Sequence, residues 1–208
     1  MTDMELIQEL EKTYGYNEPI LLNEINIADM NEVYIRQVFT RLVNRGKLKR
    51  FGQGVYYIPK MTPLGMSKLS AKKVYEKKYI SDKRNAYGFY AGLTLENAIG
   101  ITTQVPNIVE IVTNNEGSRL REVMIGNQKV RVRKSSVKIT EQNVRVLQFL
   151  DLMNRINLKD MSEESKDKLK SFVSEQKLKR EEVFQYIRKF PARTAKNVIE
   201  SGVINELT

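Results

Sequence analysis

At 208 residues the chain can hold one large domain or two smaller ones with cores of their own. Its hydrophobic fraction of 41% is ordinary for a globular protein, and its formal charge of +10 suits a polyanionic partner. It has no Cys and no His. That excludes disulfides, zinc fingers, thiol catalysis and histidine proton relays, leaving only carboxylate-based metal chemistry.

No stretch approaches the roughly 18 consecutive apolar residues of a membrane span. The N-terminus, MTDMELIQELEK, is acidic and amphipathic, without the basic start and apolar core of a signal peptide. A cytoplasmic protein with no membrane partner is expected.

In chain order, Leu6, Ile7 and Leu10 are spaced for a helix from Met4 to Tyr14, ending near Gly15. Pro19 starts a second short helix whose apolar side is Ile20, Leu21, Leu22, Ile25 and Ile27. Asn26 to Asn31 is the turn, and Asn31 caps a third helix with Glu32 in its first turn. On that helix Ile35, Val38, Phe39 and Leu42 recur at i, i+3, i+4 and i+7 and form one apolar face. Val33, Gln37, Thr40 and Asn44 point away from it, flanked by Arg36 and Arg41. Gly46 tolerates a left-handed cap.

Leu48 to Arg50 and Val55 to Ile58 then read as strands around the glycine-rich turn Phe51 to Gly54, and Pro59 stops the hairpin. A solvent-facing helix followed at once by a small hairpin is the layout of a winged helix-turn-helix. Charge divides along the same line. Residues 1–32 carry eight acidic side chains and one basic one, whereas residues 33–60 carry seven Lys or Arg and no Asp or Glu. A flank this basic suits phosphate.

Thr62-Pro63-Leu64-Gly65 reads as a linker, so a domain boundary is placed after residue 60. Ser70 to Tyr79 is a short helix in basic surroundings (Lys68, Lys72, Lys73, Lys77, Lys78, Lys83, Arg84), either a solvated face or more phosphate-contacting surface. From Asn85 to Ser118 there is no Lys or Arg. Tyr87 to Gly100 is apolar nearly all round and reads as a core helix, and Ile108 to Val112 as a buried strand. Glu110 in that strand is a solvated edge residue or a functional carboxylate.

Arg119 to Ile125 and Lys129 to Lys134 form a hairpin around Gly126-Asn127. Val130 and Val132 alternate with Lys129, Arg131 and Arg133, which gives one buried side and one basic ladder. With Arg119, Arg121 and Lys138 this is a second positive surface, relieved by solvent or by an anionic partner. Thr140 caps a helix to about Ile156, and Ser162 opens another to about Gln176. Arg180 to Lys189 and Ala192 to Ser201 are two further helices around Pro191. The fold class expected is α+β: a winged helix-turn-helix (1–60), a small α/β domain (61–157) and a helical C-terminal extension (158–208).

Several of these features resemble the AbiEi-type antitoxins of type IV toxin-antitoxin and phage-abortive-infection systems. They are the wing ending GVYYIP at Gly54 to Pro59, the linker TPLG, the block from Tyr87 to Asn114 and the basic hairpin after it. The resemblance spans roughly residues 4–156 and does not extend to the helical tail. It implies a winged helix that binds double-stranded operator DNA and represses its own operon, and a downstream domain that counters a nucleotidyltransferase-like toxin. The DNA contacts it implies are Arg36, Gln37, Thr40, Arg41, Asn44, Lys49, Arg50 and Gln53. By position, Arg119, Arg121, Lys129, Arg131 and Arg133 would serve the partner. The alternative is a winged-helix regulator without antitoxin activity. A metal-dependent nuclease built on Asp82, Glu96 and Glu110 matches no phosphodiesterase spacing, and no GxxxxGK loop is present. No enzyme activity, metal or cofactor is therefore expected.

Overall fold

The structure is a computed structural model and describes residues 2–25, 31–82 and 84–208. It mixes helices and strands, as an α+β chain should, in two compact units. The first comprises residues 1–77 with 125–127, the second residues 78–124 with 128–208.

In the first unit, helix α1 (Asp3–Tyr14) opens with a capping box in which Thr2 and Glu5 bond reciprocally. Strand β1 (Ile20–Leu21) follows, then a single 3₁₀ turn (Leu22–Glu24). The segment from Pro19 was expected to be helical. Instead Ile20 and Leu21 pair antiparallel with Tyr56 and Val55. A three-residue apolar run is too short for its periodicity to separate strand from helix. The expected turn Asn26 to Met30 lies outside the described residues.

Helix α2 (Glu32–Asn44) is capped by the Asn31 side chain, which accepts from the Tyr34 N–H at 2.8 Å. Gly46, at φ +70°, takes the left-handed turn that ends it. Strands β2 (Lys49–Gly52) and β3 (Val55–Tyr57) form the hairpin and complete a sheet of order β1-β3-β2. The apolar faces of α1 and α2 close on this sheet through Leu6, Leu10, Ile35, Phe39, Leu42 and Leu48. The Phe39 and Tyr56 rings meet edge-on at 5.0 Å.

Past the short hairpin of β4 (Met61–Thr62) and β5 (Gly65–Met66) comes helix α3 (Ala71–Tyr79). The division between units falls inside α3, not at the linker after residue 60. The reason is electrostatic as well as steric. Lys73 pairs with Glu18, and Lys77 reaches Glu24 at 3.1 Å, the Pro19 carbonyl at 2.9 Å and the face of Tyr14 at 4.5 Å. These two lysines of the basic run close the acidic side of their own unit.

The second unit is built on a sheet of order β6-β7-β9-β8: β6 (Gly88–Tyr90), β7 (Ile108–Thr113), β8 (Leu120–Ile125) and β9 (Gln128–Lys134). β6 runs antiparallel to β7, and β7 parallel to β9. The stretch expected as one core helix, Tyr87 to Gly100, is β6 followed by α4 (Gly92–Ala98). Gly88 explains the strand: a Cβ there would lie 1.8 Å from the Tyr79 carbonyl oxygen, so only glycine permits the approach.

Helix α5 (Val144–Arg155) has Asn143 rather than Thr140 at its N-cap, because residues 140–143 first make a turn bonded by Asn143 Oδ1 to the Thr140 N–H. Helices α6 (Glu163–Gln176), α7 (Arg180–Ile187) and α8 (Ala192–Glu200) stand close to where periodicity puts them. They are not a separate extension. Leu169, Phe172, Val173, Val183 and Val198 share one core with Phe89 and Val112 of the sheet and Leu147, Phe149 and Met153 of α5.

Candidate nucleic-acid interface

Burying Ile35, Val38, Phe39 and Leu42 forces the opposite face of α2 outward. Arg36, Gln37, Thr40, Arg41 and Asn44 are all exposed along it, and Lys49, Arg50 and Gln53 are exposed on the hairpin. The expected contact residues thus lie on one helix face and one hairpin of the same unit.

Their partners separate them into two kinds. Arg36 is bound to Glu32 one turn earlier. Arg41 is held by Asp3 of α1 through Nη2 at 2.6 Å and Nε at 3.0 Å, and Arg45 reaches the same carboxylate at 2.5 Å. The Arg41 hydrogen bond keeps the Asp3 carboxyl below the usual carboxylate range, Arg45 adds to this, and partial desolvation opposes it. The Thr40 hydroxyl donates back to the Arg36 carbonyl at 2.9 Å. Among the described residues, Gln37 and Asn44 spend no side-chain hydrogen bond, and Lys47, Lys49 and Arg50 face no carboxylate partner. Unbonded amides on the helix and hairpin cations without acidic partners are therefore the available groups, Arg50 donating through Nε only to the Gly52 carbonyl at 3.3 Å. Asp3, distant in sequence, carries no local signal that it spans two arginines.

The second basic surface is tied up more thoroughly. Lys129 and Arg131 both pair with Glu122 of β8, at 2.7 Å each. Hydrogen bonds from Lys129 and then Arg131 hold the Glu122 carboxyl below its ordinary value. Arg133 reaches Asp151 of α5 at 2.6 Å, and Arg121 reaches the buried Glu116 at 2.9 Å. Only Arg119 of the five expected partner residues has no carboxylate partner among the described residues. The ladder is relieved mainly by internal acids, not by solvent alone.

Glu110 is neither a solvated edge residue nor an isolated carboxylate. It sits 16% exposed, accepting from the Leu93 N–H at 3.3 Å, with Arg155 at 3.6 Å and Arg131 at 3.8 Å. Glu96 holds the same Arg155 at 2.9 Å, while Asp82 accepts from the backbone N–H groups of Arg84 and Asn85. Among the described residues no three carboxylates gather where they could hold a metal. Arg155, at the end of α5, and Arg193, in the helical tail, join this cluster, and no local pattern marks either.

Among the described residues no helix is long and apolar enough to cross a membrane. No curated protein sequence matches this one. A family model does match, over residues 9–182, and therefore spans both units. The chain belongs to that family, DUF6088, a family of unknown function.

Proposed function

We propose that the chain is a DNA-binding transcriptional regulator whose first unit is a winged helix-turn-helix. The observation that carries this reading is the exposed face of α2, with Gln37 and Asn44 uncommitted, next to a hairpin bearing Lys49 and Arg50 without acidic partners. The element order α1, β1, α2, β2, β3 and the β1-β3-β2 sheet support it. A helix of 13 residues is about 20 Å long and fits a major groove roughly 12 Å wide.

In this mechanism Gln37 and Asn44 make paired contacts to adenine edges. Lys49, Arg50 and Gln53 hold backbone or minor groove and fix register. Arg36 and Arg41 reach a phosphate or guanine only by giving up Glu32 and Asp3, so their contribution is an exchange and not a simple gain. The antitoxin role implied by the resemblance, autorepression of the operon together with countering a nucleotidyltransferase-like toxin, is retained as part of the proposal. It requires Arg119, or cations released from Glu122 and Asp151, to meet the partner.

The test is selection of bound duplexes from a random pool, followed by titration of the best duplex. Saturable, sequence-preferring binding that weakens about tenfold or more in Gln37→Ala/Asn44→Ala is expected. Wild-type affinity in that double variant would remove α2 from the groove. For the antitoxin role, co-expression with the product of the adjacent gene should restore growth, and failure of the folded full chain to do so would leave regulation alone.

A further inference from the structure

The second unit contains an open cleft of about 330 Å³, lined by residues of that unit only. This is at the lower end of the roughly 300–1,000 Å³ typical of small-molecule sites. Four guanidinium groups line it, Arg131 and Arg133 from β9, Arg155 from α5 and Arg193 from α8, against two carboxylates, Glu110 and Asp151. Counting Glu122 and Glu96, which pair with Arg131 and Arg155 from outside the wall, the four positive charges are balanced, and what the wall offers a ligand is chiefly the unspent nitrogens of Arg133 and Arg193.

The guanidinium groups are held in place before any ligand arrives. Glu122 and Glu96, which are not part of the wall, fix Arg131 at 2.7 Å and Arg155 at 2.9 Å, and Asp151 fixes Arg133 at 2.6 Å. Arg193 is different: its Nη2 donates to the Arg155 and Ile156 carbonyls at the end of α5, at 3.2 and 2.9 Å. Among the described residues it has no carboxylate partner. Arg133 and Arg193 each spend one nitrogen in these bonds and keep the rest of the fork. Asn154 accepts from the Thr194 hydroxyl at 3.3 Å through Oδ1, leaving its amide N–H groups as donors at the wall. Leu120, Ala91 and Ile111 supply apolar surface beside them.

We propose that this cleft binds a small phosphate-bearing ligand, with Arg133, Arg155 and Arg193 gripping the phosphate and the Leu120 side taking the remainder of the molecule. A carboxylate is satisfied by one planar fork, whereas forks arriving from three separate elements match the several oxygens of a tetrahedral dianion. Because each fork is already fixed, little side-chain entropy remains to be lost on binding. The site is independent of the DNA-binding reading, and its test involves no DNA.

The full chain is titrated calorimetrically with inorganic phosphate, with AMP and with adenosine. Saturable 1:1 binding of phosphate and AMP is expected, with none by adenosine. If AMP binds more tightly than phosphate the ligand is a phosphate ester; equal affinities point to phosphate itself, and either ranking supports the site. Arg193→Gln should weaken AMP binding at least about tenfold. Arg133→Lys keeps the charge opposite Asp151 but loses the fork, and should weaken it several-fold; this variant decides the matter if Arg193→Gln does not fold. Lys49→Ala/Arg50→Ala on the hairpin should leave AMP affinity unchanged. Unsaturable binding, adenosine binding as well as AMP, loss of binding in the hairpin variant, or wild-type affinity in both cleft variants would overturn the proposal.

Discussion

Substituting Gly92 by Ala tests how the second unit holds its charged centre. Gly92 begins α4 at φ +55°, a conformation that costs an L-residue about 1–2 kcal/mol. The added Cβ would also lie 2.4 Å from Glu110 Oε1 and 2.5 Å from its carboxyl carbon. The carboxylate cannot move aside freely, since it accepts from the Leu93 N–H and sits between Arg131 and Arg155. Displacing it costs about another 1–2 kcal/mol in weakened charged hydrogen bonding. Gly92→Ala should therefore destabilise the second unit by about 2–4 kcal/mol, read from denaturant midpoints followed by circular dichroism. In a Glu110→Ala background only the backbone term remains, and the same substitution should cost about 1–2 kcal/mol. A cost below about 0.5 kcal/mol in the wild-type background, or equal costs in both, would refute the placement of Glu110 against α4.

Asn31→Ala should lower stability by about 1 kcal/mol through loss of the α2 cap, whereas Asn31→Ser should recover most of it; thermal melts of both variants check this. The Glu122 carboxyl should titrate below the ordinary Glu range by carboxyl-carbon NMR, and Lys129→Met should move it back up further than Arg131→Gln. Because its folded value is lowered, the stabilisation that Glu122 gives is present above the ordinary Glu value. It is lost as pH falls through the folded value, so the Lys129→Met variant should show a smaller loss of stability across that acid window.

How much of this was legible from the amino-acid order depended on whether the governing contact was local. Caps and periodicity lie within one element, so α1, α2, α6, α7 and α8 were readable within a few residues, as were the Gly54 and Gly126 turns. The errors fell where a distant partner decides. Ile20 and Leu21 are a strand because Tyr56 and Val55 pair with them, and Gly88 to Tyr90 are a strand because β7 does. The exposed helix face was anticipated, yet its two expected arginines are engaged, one of them by Asp3, 38 residues away. In the second unit the basic ladder was visible as alternation. The acids that answer it, Asp151 from α5 and Glu122 from the neighbouring strand, become partners only once the sheet and helix are assembled. Arg193 had no local mark at all, because its significance comes from the carbonyls that close α5.

The proposed grip of the first unit on duplex DNA is tested most directly by its salt dependence. Fluorescence anisotropy of a labelled duplex, titrated with the wild-type chain across a series of salt concentrations, should give an affinity that falls steeply and linearly on logarithmic axes. Removing Lys49 and Arg50 together should flatten that slope by about 1.8, or roughly 0.9 for each phosphate left without its cation. Binding that ignores salt, or an unchanged slope in the double variant, would contradict the proposed interface.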